Sequence, residues 1–176
     1  MKKFFKFMLG LFVVLLLVIV ITMLALGKTY HFEKSIVINA PAEKVWQNVN
    51  SMKGVNSWSP FLKMDPNMKQ AYTGVSGTVG EMYTWSGNDK AGQGEEKIVE
   101  LVPNEKAVVD LHFIKPIDSR AKAVVLLQPE GNSTKVTWSF DTTMEYPSNL
   151  MKLFMNKGMD EAFGDGLNSL KAMSEK

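Results

Sequence analysis

Cysteine is absent from the 176 residues, and histidine occurs only at His31 and His112. The absence of cysteine excludes disulfides, thiolate zinc sites and cysteine nucleophiles. Two histidines are too few for a histidine-based metal cluster, so only a site of oxygen ligands remains open. The sequence singles out no such set of ligands. We therefore expect neither a metal nor a cofactor.

Excess charge and several well-known catalytic motifs are also lacking. The formal net charge is +2, and three of the 20 Lys and Arg residues lie before Phe7, which leaves 17 basic against 18 acidic residues in the remainder. Nucleic-acid binding needs a basic footprint, so we expect no nucleic-acid partner. Neither G-x-S-x-G nor a phosphate-binding loop occurs, and the spacing of Gly74, Gly77 and Gly80 favours a turn.

A long apolar run is present from Phe7 to Leu26, without a charged residue. As a helix it is long enough to cross a hydrocarbon core of about 30 Å. The alternative is a cleaved signal peptide, but signal cores are about 7 to 15 residues long, so a retained anchor is favoured. The lysines before the run predict a cytoplasmic N-terminus and an exported domain. Residues 1–27 are thus the expected anchor, and 28–176 a single domain.

Hydrophobic periodicity organises the domain. Residues 29–39 alternate with the period of a strand, and a short helix is predicted after Pro41. Residues 51–67 are rich in turn-forming residues and indicate short helical or irregular structure. About six strands follow, and after Pro147 apolar residues recur every three or four positions, which predicts a long C-terminal helix. The pattern predicts an α+β fold in which a curved antiparallel sheet wraps around that helix.

Several segments resemble the helix-grip superfamily that includes START domains, Bet v 1-like proteins and polyketide cyclase/dehydrase-like proteins, often called SRPBCC. The resemblance is carried by an I-x-A-P-x-E-x-V-W pattern at 38–46 and by the segments WSPF (58–61), STKVTWSF (133–140) and MDEAFGDGLNSLK (159–171). It implies a deep hydrophobic cavity between the sheet and the long helix. Such cavities bind lipids, sterols, polyketides or comparable small molecules. Because many functions share this fold, the resemblance defines architecture better than activity.

Eight large side chains are candidates for lining such a cavity. Aromatic residues on the inner face of a curved sheet either fill the core or line a pocket, and methionines can reshape around varied ligands. The alternative for each residue alone is ordinary core packing. The candidates are Trp58, Tyr83, Trp85, Phe113, Trp138, Phe140, Met155 and Met159.

No catalytic residue is predicted. By alternation His112 shares a face with Asp110, opposite the apolar side chains, and is expected to point to solvent. The acidic residues on the predicted strands form no pair with the face and spacing for acid–base work, so most are expected on a solvated face. They are Glu81, Glu95, Glu96, Glu100, Asp141 and Glu145.

Three hypotheses for the function follow from these expectations. The favoured one is a membrane-tethered, non-catalytic module that binds a hydrophobic small molecule or lipid. The second is an enzyme of the cyclase or dehydratase kind, which a buried ionisable group with a shifted pKa would favour. The third is an interaction domain with a filled cavity and an unknown protein partner, which a large exposed apolar patch would favour.

Overall fold

The computed structural model describes residues 2–176. Two 3-10 helices, Pro60–Met64 and Ser148–Met151, supplement the regular elements. The helices and strands in chain order are α1 (Lys2–Leu26), β1 (Thr29–Ile38), α2 (Ala42–Trp46), α3 (Met52–Trp58), β2 (Lys69–Thr73), β3 (Met82–Ser86), β4 (Gln93–Val102), β5 (Lys106–Lys115), β6 (Ser119–Glu130), β7 (Ser133–Thr143) and α4 (Lys152–Ser174).

The seven strands form one antiparallel sheet in the order β1-β7-β6-β5-β4-β3-β2. Side chains alternate between the two faces of a strand, so the register decides which residues share the concave face. One row across this face joins Ile36, Val136 and Leu127 on β1, β7 and β6. The predicted α+β helix-grip architecture, including six strands after the short helices, is confirmed.

Helix α4 lies on the concave side and runs in the same direction as β1. At its start the Lys152 Nζ donates to the carbonyl of Thr29, 2.6 Å away, and further along Lys34 pairs with Asp160. In its last turns the Lys171 Nζ donates to the carbonyl of Val37 at 2.7 Å. We call the end of the sheet where β1 begins the anchor end. The hairpins β3–β4 and β5–β6 also turn there, because the strands alternate in direction.

Helix α1 is long and apolar enough to cross a membrane, a test that a signal sequence near an N-terminus also passes. Its last backbone carbonyls have no partners within the helix, as at any helix C-terminus. Asn149 donates to the carbonyls of Met23 and Gly27 at 2.7 and 2.9 Å. The Lys152 Nζ reaches the carbonyls of Leu26 and Gly27 at 3.2 and 2.8 Å. A buried ammonium at this negative end of the helix dipole ties α1 to the domain.

Candidate functional site

The concave face is divided into a closed half and an open half. In the closed half, Trp138 stacks on Phe163 of α4 with ring centroids 3.9 Å apart, and Trp58 meets Trp138 edge to face at 4.8 Å. The Trp58 indole donates to the carbonyl of Asn48 at 2.9 Å, which satisfies its polar atom. A Cβ at Gly166 would lie 2.8 Å from the Trp138 ring. Side chains therefore fill this half to close packing.

The open half is the part of the concave face over β3, β4 and β5 that is nearest the anchor end. Helix α4 packs chiefly on β1 and β7, and further along the three strands Met52 of α3 packs in a buried cluster with Tyr83, Ile98 and Val109. Trp85 and Phe113 meet edge to face with centroids 5.9 Å apart, and Phe113 is 6.5 Å from Phe140. All three rings are half-buried, unlike the rings of the closed half. The ring of Trp85 lies across Gly94, where any Cβ would collide with it. We call this surface the open groove, formed by Trp85, Glu96, Leu111, Phe113, Ala123 and Phe140.

The eight candidate lining residues separate into two groups. Trp58, Tyr83 and Trp138 are buried, whereas the other five are half-buried, including Met155 and Met159 on α4. The register places every strand member of the set on the concave face. Burial thus assigns Trp58, Tyr83 and Trp138 to the core and leaves five side chains able to touch a ligand. That they do so stays a prediction.

Glu96 is the residue that the sequence reasoning missed. It lies on the concave face of β4, opposite Tyr83 on one side and Leu111 on the other. Burial raises the pKa of its carboxyl to about 7. The expectation that the acidic strand residues are mostly solvated is therefore wrong for Glu96. It is also wrong for Glu81, which is 2% exposed and accepts a hydrogen bond from the Gly77 backbone amide at 2.8 Å. The sequence did contain an indication of the position of Glu96. Glu96 lies two residues before Ile98, a core residue of the same strand, so the two side chains point to the same face.

Tyr83 brings a second polar atom to this region. Its hydroxyl is buried and has no hydrogen-bond partner among the described residues. Burial and the nearby Tyr72 and Glu96 raise the pKa of the Tyr83 hydroxyl, so it stays protonated. The neighbouring Tyr72 hydroxyl instead accepts a hydrogen bond from the Asn56 amide at 3.1 Å. The groove thus combines apolar rings with a carboxyl group that can hold or release a proton near neutral pH.

Both histidines lie on the convex face, away from the groove. As predicted, His112 shares the face of Asp110, but it is half-buried between Glu95 and Asp118, at 3.3 and 3.1 Å. The Asp141 carboxylate, 2.7 Å from His31, raises the pKa of that imidazole. Within residues 2–176 no group of three or more side chains is placed to hold a metal ion.

Two depressions lie at the anchor end of the sheet. One of about 430 Å³ is lined by residues of β1, β5, β6 and β7, among them His31, Lys122 and Asp141. The other, of about 530 Å³, lies between the β3–β4 and β5–β6 hairpins, beside Asn88 and Pro116. Neither contains any of the eight candidate lining residues. Of the groove residues, only Leu111 borders the first depression.

The chain matches one family model and is similar to several solved structures. A family model described as "polyketide cyclase / dehydrase and lipid transport" matches residues 29–175. Protein CV1439 from Chromobacterium violaceum is similar in structure, with a TM-score of 0.60, 14% identity, and coverage of 83% of this chain and 97% of that chain. TTHA0849 from Thermus thermophilus has a TM-score of 0.59 and 17% identity, with 82% and 97% covered.

A solved synthase shares the same fold. Norcoclaurine synthase from Thalictrum flavum, solved in complex with dopamine and hydroxybenzaldehyde, has a TM-score of 0.64 and 12% identity, and 87% of this chain and 90% of that chain are covered. No curated protein sequence matches this chain. At such low identities the structural likeness shows the fold alone.

Proposed function

Because the chain belongs to the polyketide cyclase/dehydrase and lipid transport family, we propose that it is a membrane-tethered domain that binds a hydrophobic small molecule or lipid in the open groove. The observation that supports this proposal is the set of three adjacent aromatic rings of Trp85, Phe113 and Phe140. These rings are half-buried on a concave surface, whereas equivalent rings under α4 are fully packed. A bound apolar molecule would cover them as Phe163 covers Trp138.

The chemistry of the groove suits an apolar ligand with one polar group. Removal of apolar surface from water contributes about 25 cal/mol per Å², so exposed rings on a concave surface favour a ligand that covers them. Ligand sites are typically apolar with a few polar groups that fix orientation. Here Glu96 supplies the polar group, and Met155 and Met159 on α4 supply side chains that can adapt to the ligand's shape.

The tether places the groove beside a source of such ligands. We propose that residues 1–27 form a single membrane span with a cytoplasmic N-terminus, and that residues 28–176 form the exported binding domain. Lipophilic molecules concentrate in the bilayer, and a domain held at its surface can take them up over a short distance. The contacts of Asn149 and Lys152 with the end of α1 support a fixed position of the domain relative to the span.

A photoactivatable fatty acid tests this function. The full chain is reconstituted in nanodiscs of phosphatidylcholine and phosphatidylglycerol, a diazirine-bearing fatty acid is added, and adducts are mapped by peptide mass spectrometry after illumination. We expect adducts on peptides that contain Trp85, Phe113 or Phe140, in addition to adducts on α1, which contacts lipid directly. Unlabelled fatty acid in excess should suppress the groove adducts and leave those on α1.

Adducts confined to α1 would contradict the proposal. A matched control is the convex face, where Asp110 precedes Leu111 on the same strand and is exposed to solvent. Labelling of the convex side chains at the same yield as the groove rings would show non-specific contact, which also contradicts a binding site in the groove.

A second candidate function is proton transfer to or from a bound apolar substrate, and Glu96 is the observation that favours it. A carboxyl with a pKa near 7 in an apolar groove has the properties of a general acid or base. The carboxylate would remove a proton from carbon next to a carbonyl group and return a proton to the same carbon. In deuterium oxide this reaction would exchange the α-hydrogens of 2-tridecanone, which mass spectrometry detects.

The catalytic candidate predicts that the full chain accelerates this exchange and that Glu96→Gln abolishes the acceleration. Glu95→Gln removes the same charge from the adjacent residue on the convex face and should leave the rate unchanged. Equal exchange with and without the protein would contradict catalysis of this kind and leave the binding function as the sole proposal.

A further inference from the structure

Exposed apolar side chains cluster at the anchor end of the domain. Phe154 is 82% exposed and Leu153 is 55% exposed, in the first turn of α4. Ile117, in the β5–β6 hairpin, is 50% exposed. Surfaces of soluble domains seldom gather such residues in one place without a partner. We call this set the apolar rim, which comprises Met64, Ile114, Ile117, Met151, Leu153 and Phe154.

The position of the first part of the rim follows from the contacts that hold α1. Lys152 donates to the carbonyls of Leu26, Gly27 and Thr29, and Leu153 and Phe154 come directly after it in the chain. These two residues therefore belong to the same turn of α4 as the lysine that holds the end of α1. If α1 spans a bilayer, its C-terminal end marks the membrane surface, and Leu153 and Phe154 are held at that level.

The sheet register brings the second part of the rim to the same level. Tyr30, three residues after Gly27, pairs with Thr142, which pairs with Ala121 near the start of β6. Ala121 is in turn paired with Leu111, two residues before Phe113. The hairpin that carries Ile114 and Ile117 therefore extends beyond this row, toward the end of α1.

The last part of the rim is tied to the neighbouring hairpin. Asp65, which follows Met64, accepts a hydrogen bond from the Asn88 backbone amide at 2.7 Å. Asn88 lies in the turn of the β3–β4 hairpin, shortly after Trp85 and Ser86 at the end of β3. The rim thus borders the groove at the end where Trp85 and Phe113 lie.

We propose that the apolar rim inserts into the interfacial layer of the bilayer that α1 spans, so that the open groove opens onto lipid. This inference rests on the proposed membrane tether and adds a docking surface and an entry route. The rim is continuous with the spanning helix through Lys152, and this continuity identifies lipid as its occupant. An apolar ligand could then pass from the acyl region to the Phe113 ring without crossing bulk water.

The lack of cysteine makes a direct test possible. Single cysteines are introduced at Phe154, Ile117 and Val75 of the full chain and labelled with bimane in nanodiscs that contain phospholipids spin-labelled near the headgroup. Val75 is a matched control because it is 70% exposed but lies in the β2–β3 loop, at the opposite end of β3. A fourth label at Leu15, near the middle of α1, is read in nanodiscs whose phospholipids carry the spin label deep in the acyl chain, and it reports whether α1 is within the membrane.

We expect the spin-labelled lipid to quench the labels at positions 154 and 117 and to leave the label at position 75 unquenched. The emission of the first two labels should also shift to shorter wavelength relative to position 75. Equal, low quenching at 154, 117 and 75, with strong quenching at position 15, would overturn the rim inference and leave the tether intact.

A double variant, Phe154→Asp with Leu153→Asp, tests the entry route. It should slow labelling of the groove by the photoactivatable fatty acid, and an unchanged rate would contradict entry of the ligand through the rim.

Failure of the rim and failure of the proposed function are distinguishable. If the photoactivatable fatty acid labels the groove but lipid does not quench the labels at positions 154 and 117, rim insertion is contradicted and ligand binding is supported. A quenched rim without groove adducts would support the docking surface and contradict ligand binding. A label at position 15 that lipid does not quench would contradict the tether, and with it both proposals.

Discussion

The rings of Trp85 and Phe113 meet edge to face with centroids 5.9 Å apart on the part of the concave face that α4 leaves uncovered. A few strands away, Trp138 and Phe163 stack at 3.9 Å beneath that helix. We propose that the same type of side chain serves two purposes in one sheet. Where the helix crosses, aromatic rings stabilise the fold, and where it does not, they remain available to a ligand.

Replacing Phe113 with alanine should weaken binding of the photoactivatable fatty acid more than it destabilises the fold. A half-buried ring that a ligand covers contributes on the order of 1.5 kcal/mol to binding, which is about a tenfold change in affinity. The measurement is the concentration of fatty acid that gives half-maximal groove labelling of the full chain in nanodiscs. Asp110→Ala on the same strand is the control, because its side chain lies on the convex face and pairs with Lys122.

An equal loss of affinity for Phe113→Ala and Asp110→Ala would contradict the assignment of the groove to the concave face. His112→Ala serves as a second control of the same kind, since its imidazole contacts Glu95 and Asp118 on the convex face.

Trp138→Ala should act mainly on stability. The ring is buried between Trp58 and Phe163, and its removal leaves a cavity that close-packed neighbours cannot fill. Substitutions of this kind cost about 3 to 5 kcal/mol in the free energy of unfolding. Denaturant titration of the full chain in detergent micelles, followed by circular dichroism, measures the loss. Trp85→Ala should cost clearly less, because its ring is half-buried, and an equal cost for both would refute the division into two halves.

Two glycines of α4 provide a matched pair. A Cβ at Gly166 would lie 2.8 Å from the Trp138 ring and 3.2 Å from Pro60, whereas a Cβ at Gly158 meets nothing within 4 Å. Gly166→Ala should therefore lower the midpoint of thermal unfolding, because overpacking costs about 1 to 3 kcal/mol. Gly158→Ala should raise it, since alanine is better than glycine in a helix by about 1 kcal/mol. Stabilisation by both substitutions would show that α4 does not press on the Trp138 ring.

The carboxyl of Glu96 should make the stability of the domain depend on pH. Burial raises its pKa from 4.5 to about 7, so the native state retains a proton that the unfolded state loses between these values. The free energy of unfolding should therefore fall as pH rises from about 4.5 to 7 and change no further from this cause above that range. Unfolding titrations at several pH values measure the slope.

Glu96→Gln should remove this part of the slope and stabilise the domain at about pH 8, because a neutral amide avoids the cost of a buried charge. Glu95→Gln, one residue away on the convex face, should leave the slope in place. The raised pKa of His31 adds a slope of the same sign above about pH 6.5, which the wild-type protein and the variants share. An unchanged slope below that pH in Glu96→Gln would mean that the Glu96 carboxyl is solvated.

The sequence predicts the fold well because the spacing of apolar residues along each strand or helix indicates which face of that element is buried. Alternation in β7 places Val136, Trp138 and Phe140 on one side, and the spacing after Pro147 predicts the long helix. The resemblance to the helix-grip superfamily is confirmed by the family match over residues 29–175. These features depend on near neighbours in the chain and on patterns shared by the family.

The arrangement of the groove could not be predicted in the same way. Which aromatic rings are covered depends on where α4 crosses the sheet, and that path depends on packing between distant residues such as Trp138 and Phe163. Alternation along β4 predicts that Glu96 lies on the concave face. Its raised pKa, however, results from burial in the assembled sheet, which alternation does not predict. The contacts of Asn149 and Lys152 with α1 join residues more than 120 positions apart, which no local pattern reveals.

Native mass spectrometry of the full chain shows whether the open groove holds an apolar molecule. The chain is taken from its cell membrane into nanodiscs, released in the spectrometer, and compared with a double variant, Trp85→Ala with Phe113→Ala. We expect one apolar molecule for each wild-type chain and none for the variant. An empty wild-type chain, or the same molecule retained equally by both proteins, would contradict ligand binding in the groove.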